Sequence, residues 1–236
     1  MKRNLNFDLI RSIAISFVIC IHSGGYVSDV HLQGFSYWGE VIFHSWEILI
    51  ASAVPLFIML SGALLLGAEI APPISFLKHR LSRVLIPFFV WSVILFTLSS
   101  FKEHWPINLE LLPKFIVMTL TTGVVGIYWF VYLIIGLYLI TPIIKPYFCS
   151  ANKENMVYVC ILLFVFYFIS SYFGEVKWVK GFGFGYFVYV LYYVFGYVLV
   201  SYLKDWKYFS NLAALILFLS FLGQVYINMR HIEQNY

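Results

Sequence analysis

The chain has 236 residues, of which 62% are hydrophobic, 21% aromatic and only 11% charged, with a formal net charge of +4. A mean hydropathy of +0.88 and repeated apolar runs exclude a soluble globular domain and point to a polytopic, all-α transmembrane helix bundle. The basic residues are scattered over connecting segments and form no patch, which selects membrane lipids as partners and excludes nucleic acid.

About 20 residues cross the hydrocarbon core, and that length marks seven spans: roughly Phe7 to Tyr26, Glu47 to Gly67, Val84 to Phe101, Ile127 to Ile144, Met156 to Phe173, Gly183 to Leu203 and Asn211 to Met229. Leu109 to Gly126 is apolar too, but Pro113 and the Thr119, Thr121, Thr122, Gly123 cluster make it a short interfacial or re-entrant helix. Lys2 and Arg3 precede the first run as in a signal peptide. No small-residue cleavage site follows, so the run is retained as a helix. Cys20, Cys149 and Cys160 are odd in number and lie in or beside apolar segments, which indicates neither a disulfide framework nor a metal site.

The first span carries Asp8, Arg11 and His22. On a 3.6-residue helix Arg11 and His22 fall about 20° apart in azimuth and about 16 Å apart in height, with Asp8 about 60° from the same line. Ionisable groups at membrane depth cost several kcal/mol unless they face protein or water, so such a stripe is a candidate functional site. The plain alternative for Asp8 and Arg11 is snorkelling to the cytoplasmic surface.

In the second span Pro55 predicts a kink, and Ser61, Gly62 and Ala63 permit close helix approach. No G-x-S-x-G elbow surrounds Ser61, which favours packing over nucleophilic chemistry. His44 and Glu47 open this span from the side where His22 ends the first. A carboxylate that orients an imidazole makes it a competent base, with Glu47, Glu40 and Asp29 all available to His22.

Pro72 and Pro73 then end the helix, Ser75 is the expected cap, and Lys78, His79, Arg80 and Arg83 cluster before the third span. Arg80 and Arg83, at i and i+3, project to one helical face, a geometry that suits phosphate oxygens. The plain alternative is a positive-inside anchor. With the amino terminus inside, the inner segments hold nine basic residues (Lys2, Arg3, Lys78, Arg80, Arg83, Lys145, Lys153, Lys204 and Lys207). The outer ones hold five, Lys102, Lys114, Lys177, Lys180 and Arg230, so the amino terminus is expected to be cytoplasmic.

Four stretches together, FDLIRSIAISFVICIH, VPLFIMLSGALLL, KHRLSRVLIPFFVW and YWFVYLIIGLYLITP, resemble in order the motif set of the acyltransferase 3 family. Its members are integral membrane enzymes that O-acylate sugars of surface polysaccharides, and the branch acting on glycans such as enterobacterial common antigen is the most similar in flavour. The resemblance implies that the family's Asp/Arg/His pattern falls on Asp8, Arg11 and His22, with His22 catalytic. Its R-x-x-R pair, which handles the acyl-CoA donor, falls on Arg80 and Arg83, its Ser-Gly pair on Ser61 and Gly62, and its aromatic position on Tyr128 and Trp129. Ala63 departs from the aromatic residue often found after the Ser-Gly pair. The family has about ten spans, each about 20 residues, so residues 1–236 read as a single domain expected to be incomplete at the carboxyl end.

The reading is a bacterial inner-membrane enzyme that transfers an acyl group, acetyl foremost, from acyl-CoA to a sugar hydroxyl of a polysaccharide or glycolipid. Acetyl-CoA is a co-substrate and no permanently bound cofactor is expected. Arg80, Arg83 and Lys78 hold the donor phosphates. His22, aided by Glu47, acts as base, and Arg11 with Asp8 steadies the donor or the oxyanion. The rivals are a transporter or flippase for a lipid-linked glycan, with the stripe as a proton relay, and an inactive acyltransferase fragment.

Overall fold

The stripe of the first span lies on a regular helix, α1, Leu5–Ser23, with Asp8 in its first turn and His22 in its last. Ser12 and Ser16 return their hydroxyls to the carbonyls of Asp8 and Ser12, at 2.9 and 3.0 Å, so neither needs an outside partner in lipid. The computed structural model describes residues 5–23, 36–68, 72–102, 111–121, 128–173, 187–203, 219–223, 225–227 and 229–230. The last three residues assigned to the first span, 24–26, lie outside them.

The second span opens at Tyr37 and not at Glu47, because Ser36 caps it by accepting from the Gly39 N–H at 3.3 Å. Two helices result: α2, Tyr37–Ala51, and α3, Ala53–Leu66. Glu40, His44 and Glu47 made the first of them look like a loop. Glu40 sits in the first turn, where an acid suits the helix dipole, and His44 and Glu47 are joined by a hydrogen bond within the helix. The expected kink at Pro55 is a break at Ser52. Proline lacks the N–H that would reach the Ala51 carbonyl, and it is tolerated in the first turn of a new helix. Ser52 covers the end of α2 with its own hydroxyl, bonded to the Leu49 carbonyl at 2.7 Å.

The chain packs as two compact units, one formed by residues 1–67 with 152–236 and the other by 68–151. In the first, α3 packs against both α1 and α8, Phe187–Val198, which continues as a π-helical turn, Leu199–Leu203. The α3 and α8 backbones touch directly. A Cβ on Gly62 would stand 1.7 Å from the Tyr193 carbonyl oxygen, and one on Gly196 would stand 2.0 Å from that of Met59. Two glycines thus give each helix a place to receive the other, the small-residue contact by which helices associate in lipid. Ile58, Leu66, Tyr193 and Val194, all buried, surround the crossing. Ser61 beside it donates to the Phe57 carbonyl at 2.8 Å. α7, Lys153–Phe173, joins through Phe166 against Phe187, centroids 5.2 Å apart. α1 joins through Ala14, fully buried, and through Phe17 edge-on to Trp46 at 6.3 Å.

The second unit holds α4, Pro73–Lys102, α5, Leu111–Thr121, and α6, Trp129–Ser150. The expected cap at Ser75 is replaced by Pro72, whose carbonyl accepts the Phe76 N–H at 3.0 Å. Pro73 then takes the first helical position, where its fixed φ is already suitable. Lys78, Arg80 and Arg83 lie on this helix, with the two arginines at the i and i+3 spacing expected. α5 has 11 residues, about 16 Å of helix, too short to cross a bilayer. It is held to α4 by Phe115 against Phe89 and Phe96 at 6.0 and 5.1 Å. Phe88 packs on Tyr128 and Tyr132 at 5.0 and 5.7 Å, tying α4 to α6.

Four described stretches, Leu5–Ser23, Tyr37–Leu66, Pro73–Lys102 and Trp129–Ser150, are long and apolar enough to span a membrane. α7 and α8 correspond to the fifth and sixth expected spans, while the seventh, Asn211 to Met229, lies largely outside the described residues. The exposed sides of α4 carry Ile86, Phe89, Val90, Trp91 and Leu98, a surface suited to lipid tails and not to water.

Because backbone faces backbone at the α3–α8 crossing, Gly62→Ala or Gly196→Ala should each destabilise the protein by about 1–3 kcal/mol or more. Gly136→Ala, where nothing lies within 4 Å of an added Cβ, should be neutral or slightly stabilising. Melting temperatures in detergent check this, and equal melting of the Gly62 and Gly136 variants would contradict the crossing.

Candidate functional site

The first unit carries one ion pair and one His–carboxylate hydrogen bond, both built by helical spacing. Asp8 Oδ1 lies 3.2 Å from Arg11 Nη1, and Glu47 Oε2 lies 2.9 Å from His44 Nδ1, both at i,i+3. The sequence-predicted pair Asp8 and Arg11 is thus brought together, and the Asp8 carboxylate fixes one edge of a guanidinium that keeps further N–H donors to present. Glu47 is engaged with His44. Among the described residues His22 makes no hydrogen bond or ion pair, and it is exposed in the last turn of α1. The regular helix preserves the azimuths: Arg11 and His22 stay about 20° apart, both on the flank of the packed face centred near Ala14, about 60° from Arg11. Neither ring nitrogen of this imidazole has a partner among the described residues.

Basic residues dominate the second unit. Arg80 is half-buried, while Lys78, His79 and Arg83 are exposed. Among the described residues Lys78, Arg80 and Arg83 make no ion pair, in contrast to Arg11. Arg83 stands at one end of an open cleft of about 540 Å³ that runs past Pro87, Phe88 and Trp91 to Leu95, with Tyr128 across from them. From residue 83 to 95 a helix rises about 18 Å. Three buried hydroxyls of this unit, on Ser92, Thr119 and Tyr128, have no hydrogen-bond partner among the described residues, an expensive condition that leaves them available to a ligand or water. Tyr132 OH is satisfied by the Thr119 carbonyl.

One charged residue of this unit was legible only as an inner-side lysine: Lys145. It is 5% exposed and belongs to the buried stripe of α6 formed by Ile134, Leu137, Thr141, Lys145 and Phe148. The spacing of that stripe, three and four residues, is the signal that could have found it, because a lysine there interrupts a run of core positions. Among the described residues no three His, Cys, Asp or Glu side chains gather as metal ligands.

Chemically, the first unit offers an imidazole and a carboxylate-held guanidinium on one helix, and the second offers Arg80 and Arg83, without an ion pair among the described residues, with Arg83 at the mouth of an apolar cleft. These are the parts needed for proton transfer and for holding an anionic ligand with an uncharged extension. Comparison with curated proteins and with solved structures finds no match. A family model described as an acyltransferase domain, that of acyltransferase 3, matches residues 4–234. It covers nearly the whole chain, including every residue singled out above, and the chain therefore belongs to the acyltransferase 3 family and is a membrane acyltransferase.

Proposed function

We propose that the protein is a bacterial inner-membrane O-acyltransferase that moves an acetyl group from acetyl-CoA to a sugar hydroxyl of a surface polysaccharide or glycolipid, with its amino terminus in the cytoplasm. The observation that carries this reading is the Arg80 and Arg83 pair, cations without an ion-pair partner among the described residues, in a chain of an acyltransferase family. Guanidinium groups bind phosphate oxygens bidentately, and the donor's head is polyphosphorylated. Lys78, on the same helix, adds longer-range attraction. The cleft beginning at Arg83 suits the donor's uncharged arm: about twelve covalent bonds, advancing roughly 1.2 Å each, span about 15 Å.

The acceptor hydroxyl oxygen attacks the thioester carbonyl carbon while His22 takes the hydroxyl proton. The C–S bond then breaks, the proton passes to the departing thiolate, and the products are a sugar ester and free coenzyme A. Arg11, steadied by Asp8, stabilises the negative charge that develops on the carbonyl oxygen. Glu47, through its bond to His44, holds a second imidazole on α2 as an auxiliary acid–base group.

Transfer of labelled acetyl groups from acetyl-CoA to glycolipid in membranes tests the assignment. His22→Ala should lower turnover by about 100-fold or more, the usual range for a lost general base, and equal labelling from wild type and variant would remove His22 from the mechanism. Arg80→Gln and Arg83→Gln should each raise KM for acetyl-CoA about 10-fold with a smaller effect on kcat. An unchanged KM in both would argue for a substrate without phosphate.

A further inference from the structure

The three buried hydroxyls of the second unit that lack a hydrogen-bond partner among the described residues, on Ser92, Thr119 and Tyr128, are not alike. A serine or threonine in a helix can turn about χ1 and return its hydroxyl to the carbonyl four residues back. Thr97 and Ser100 do so on α4, bonding to the Val93 and Phe96 carbonyls at 2.8 and 2.9 Å, and the same rotation is open to Ser92 and Thr119. Tyr128 has no such recourse, because its ring carries the phenol oxygen beyond the reach of its own helix. Two tyrosines pack on Phe88, Tyr128 at 5.0 Å and Tyr132 at 5.7 Å between centroids. Tyr132 gives its hydroxyl to the Thr119 carbonyl, while that of Tyr128 finds no partner on the described residues and takes no part in capping α6.

Tyr128 also borders the cleft that begins at Arg83. On α4 the cleft runs along Arg83, Pro87, Trp91 and Leu95, a ridge at intervals of four residues, with Val84 and Phe88 beside it, and on α6 it is bounded by Tyr128 and Val131. A cation therefore stands at one end, a phenol part of the way along, and apolar side chains line most of the rest. A plain hydrocarbon tail in this cleft would leave the phenol unpaired, and an unpaired buried polar group is costly. An occupant with a phosphate at one end and an amide farther along meets both polar groups. Tyr128 packs at the level of Phe88, five residues beyond Arg83, or about 7.5 Å along the helix. The first amide carbonyl of a coenzyme A arm follows its phosphorus by five bonds, or about 6 Å.

We propose that Tyr128 is a donor-binding residue of this cleft: with a phosphate of a coenzyme A-type donor held at Arg83, the Tyr128 hydroxyl donates to the first amide carbonyl of the donor's arm. The assignment rests on the donor reading above and adds to it a residue and a register. The arm's methyl groups lie against Phe88 and Trp91, and its remaining length carries the thioester toward Leu95. The phenol thereby favours an amide-bearing arm over a lipid tail of similar length.

Binding of coenzyme A, and of adenosine bisphosphate as the donor's head without its arm, to the full chain purified in detergent tests the assignment, alongside melting temperature. Tyr128→Phe keeps the ring on Phe88 and removes only the hydroxyl. It should weaken coenzyme A binding about 5-fold, the range of one neutral hydrogen bond, and leave adenosine bisphosphate binding within about 2-fold of wild type. Without ligand the variant should melt at or above the wild-type temperature, since it loses an unpaired buried group. Val131→Trp, which fills the cleft opposite the ridge, should likewise weaken coenzyme A and spare adenosine bisphosphate, whereas Arg83→Gln should weaken both. A Tyr128→Phe variant that binds coenzyme A as wild type does, that loses both probes alike, or that melts lower without ligand overturns the role of Tyr128, and the donor reading stands if Arg83→Gln still weakens coenzyme A. Failure of the wild type to bind coenzyme A overturns both.

Discussion

Helices surrounded by lipid gain little by hiding apolar side chains from one another, since the tails outside are as apolar as the partner. What must be settled is every polar group that cannot reach water. That constraint governs both units. It explains the serine hydroxyls folded back on their own helices, the side-chain pairs at i,i+3 on α1 and α2, and the glycine crossing that fastens α3 to α8 by shape alone.

The same constraint separates the two sets of charges. On α1 and α2, Arg11 is paired with an acid and His44 is hydrogen-bonded to one, each on its own helix, which satisfies polar groups in an apolar span and leaves each with a directed donor or nitrogen. On α4, Arg80 and Arg83 make no ion pair among the described residues. The first arrangement suits groups that act on reacting atoms, and the second suits the binding of an anion. The Ser-Gly pair at Ser61 and Gly62 fits this division of labour as architecture. Its serine is bonded to the Phe57 carbonyl, and its glycine admits the α8 backbone.

The candidate residues differ in how readily they can be read. Asp8, Arg11, Arg80 and Arg83 stand out because a charge in an apolar run is visible against its background, and regular helix geometry carries their spacing directly into space. Glu47 was visible for the same reason, but its partner is decided by a three-residue offset to His44 that competes with any neighbouring helix. Lys145 was hidden among ordinary inner-side lysines, since membership of a buried stripe depends on which face of α6 is covered in the folded chain. The polar residues Glu40, His44 and Glu47 also concealed the first half of the second span, because a hydropathy reading penalises side chains whose polar groups a helix cap, a helix dipole or a hydrogen bond can satisfy locally.

The sequence by itself determined that this is an all-helical membrane chain, roughly where its long apolar helices lie, that a short helix precedes Trp129, and that ionisable residues gather at Asp8 to His22 and at Lys78 to Arg83. Those features follow from composition, proline placement and the 3.6-residue repeat, all of them local. Only the tertiary structure decided that Gly62 and Gly196 face each other's helices, that Ser52 ends one helix and starts the next, and that Lys145 is buried. Each depends on which helical faces come together, and that is fixed by side-chain and backbone fit between segments distant in the chain.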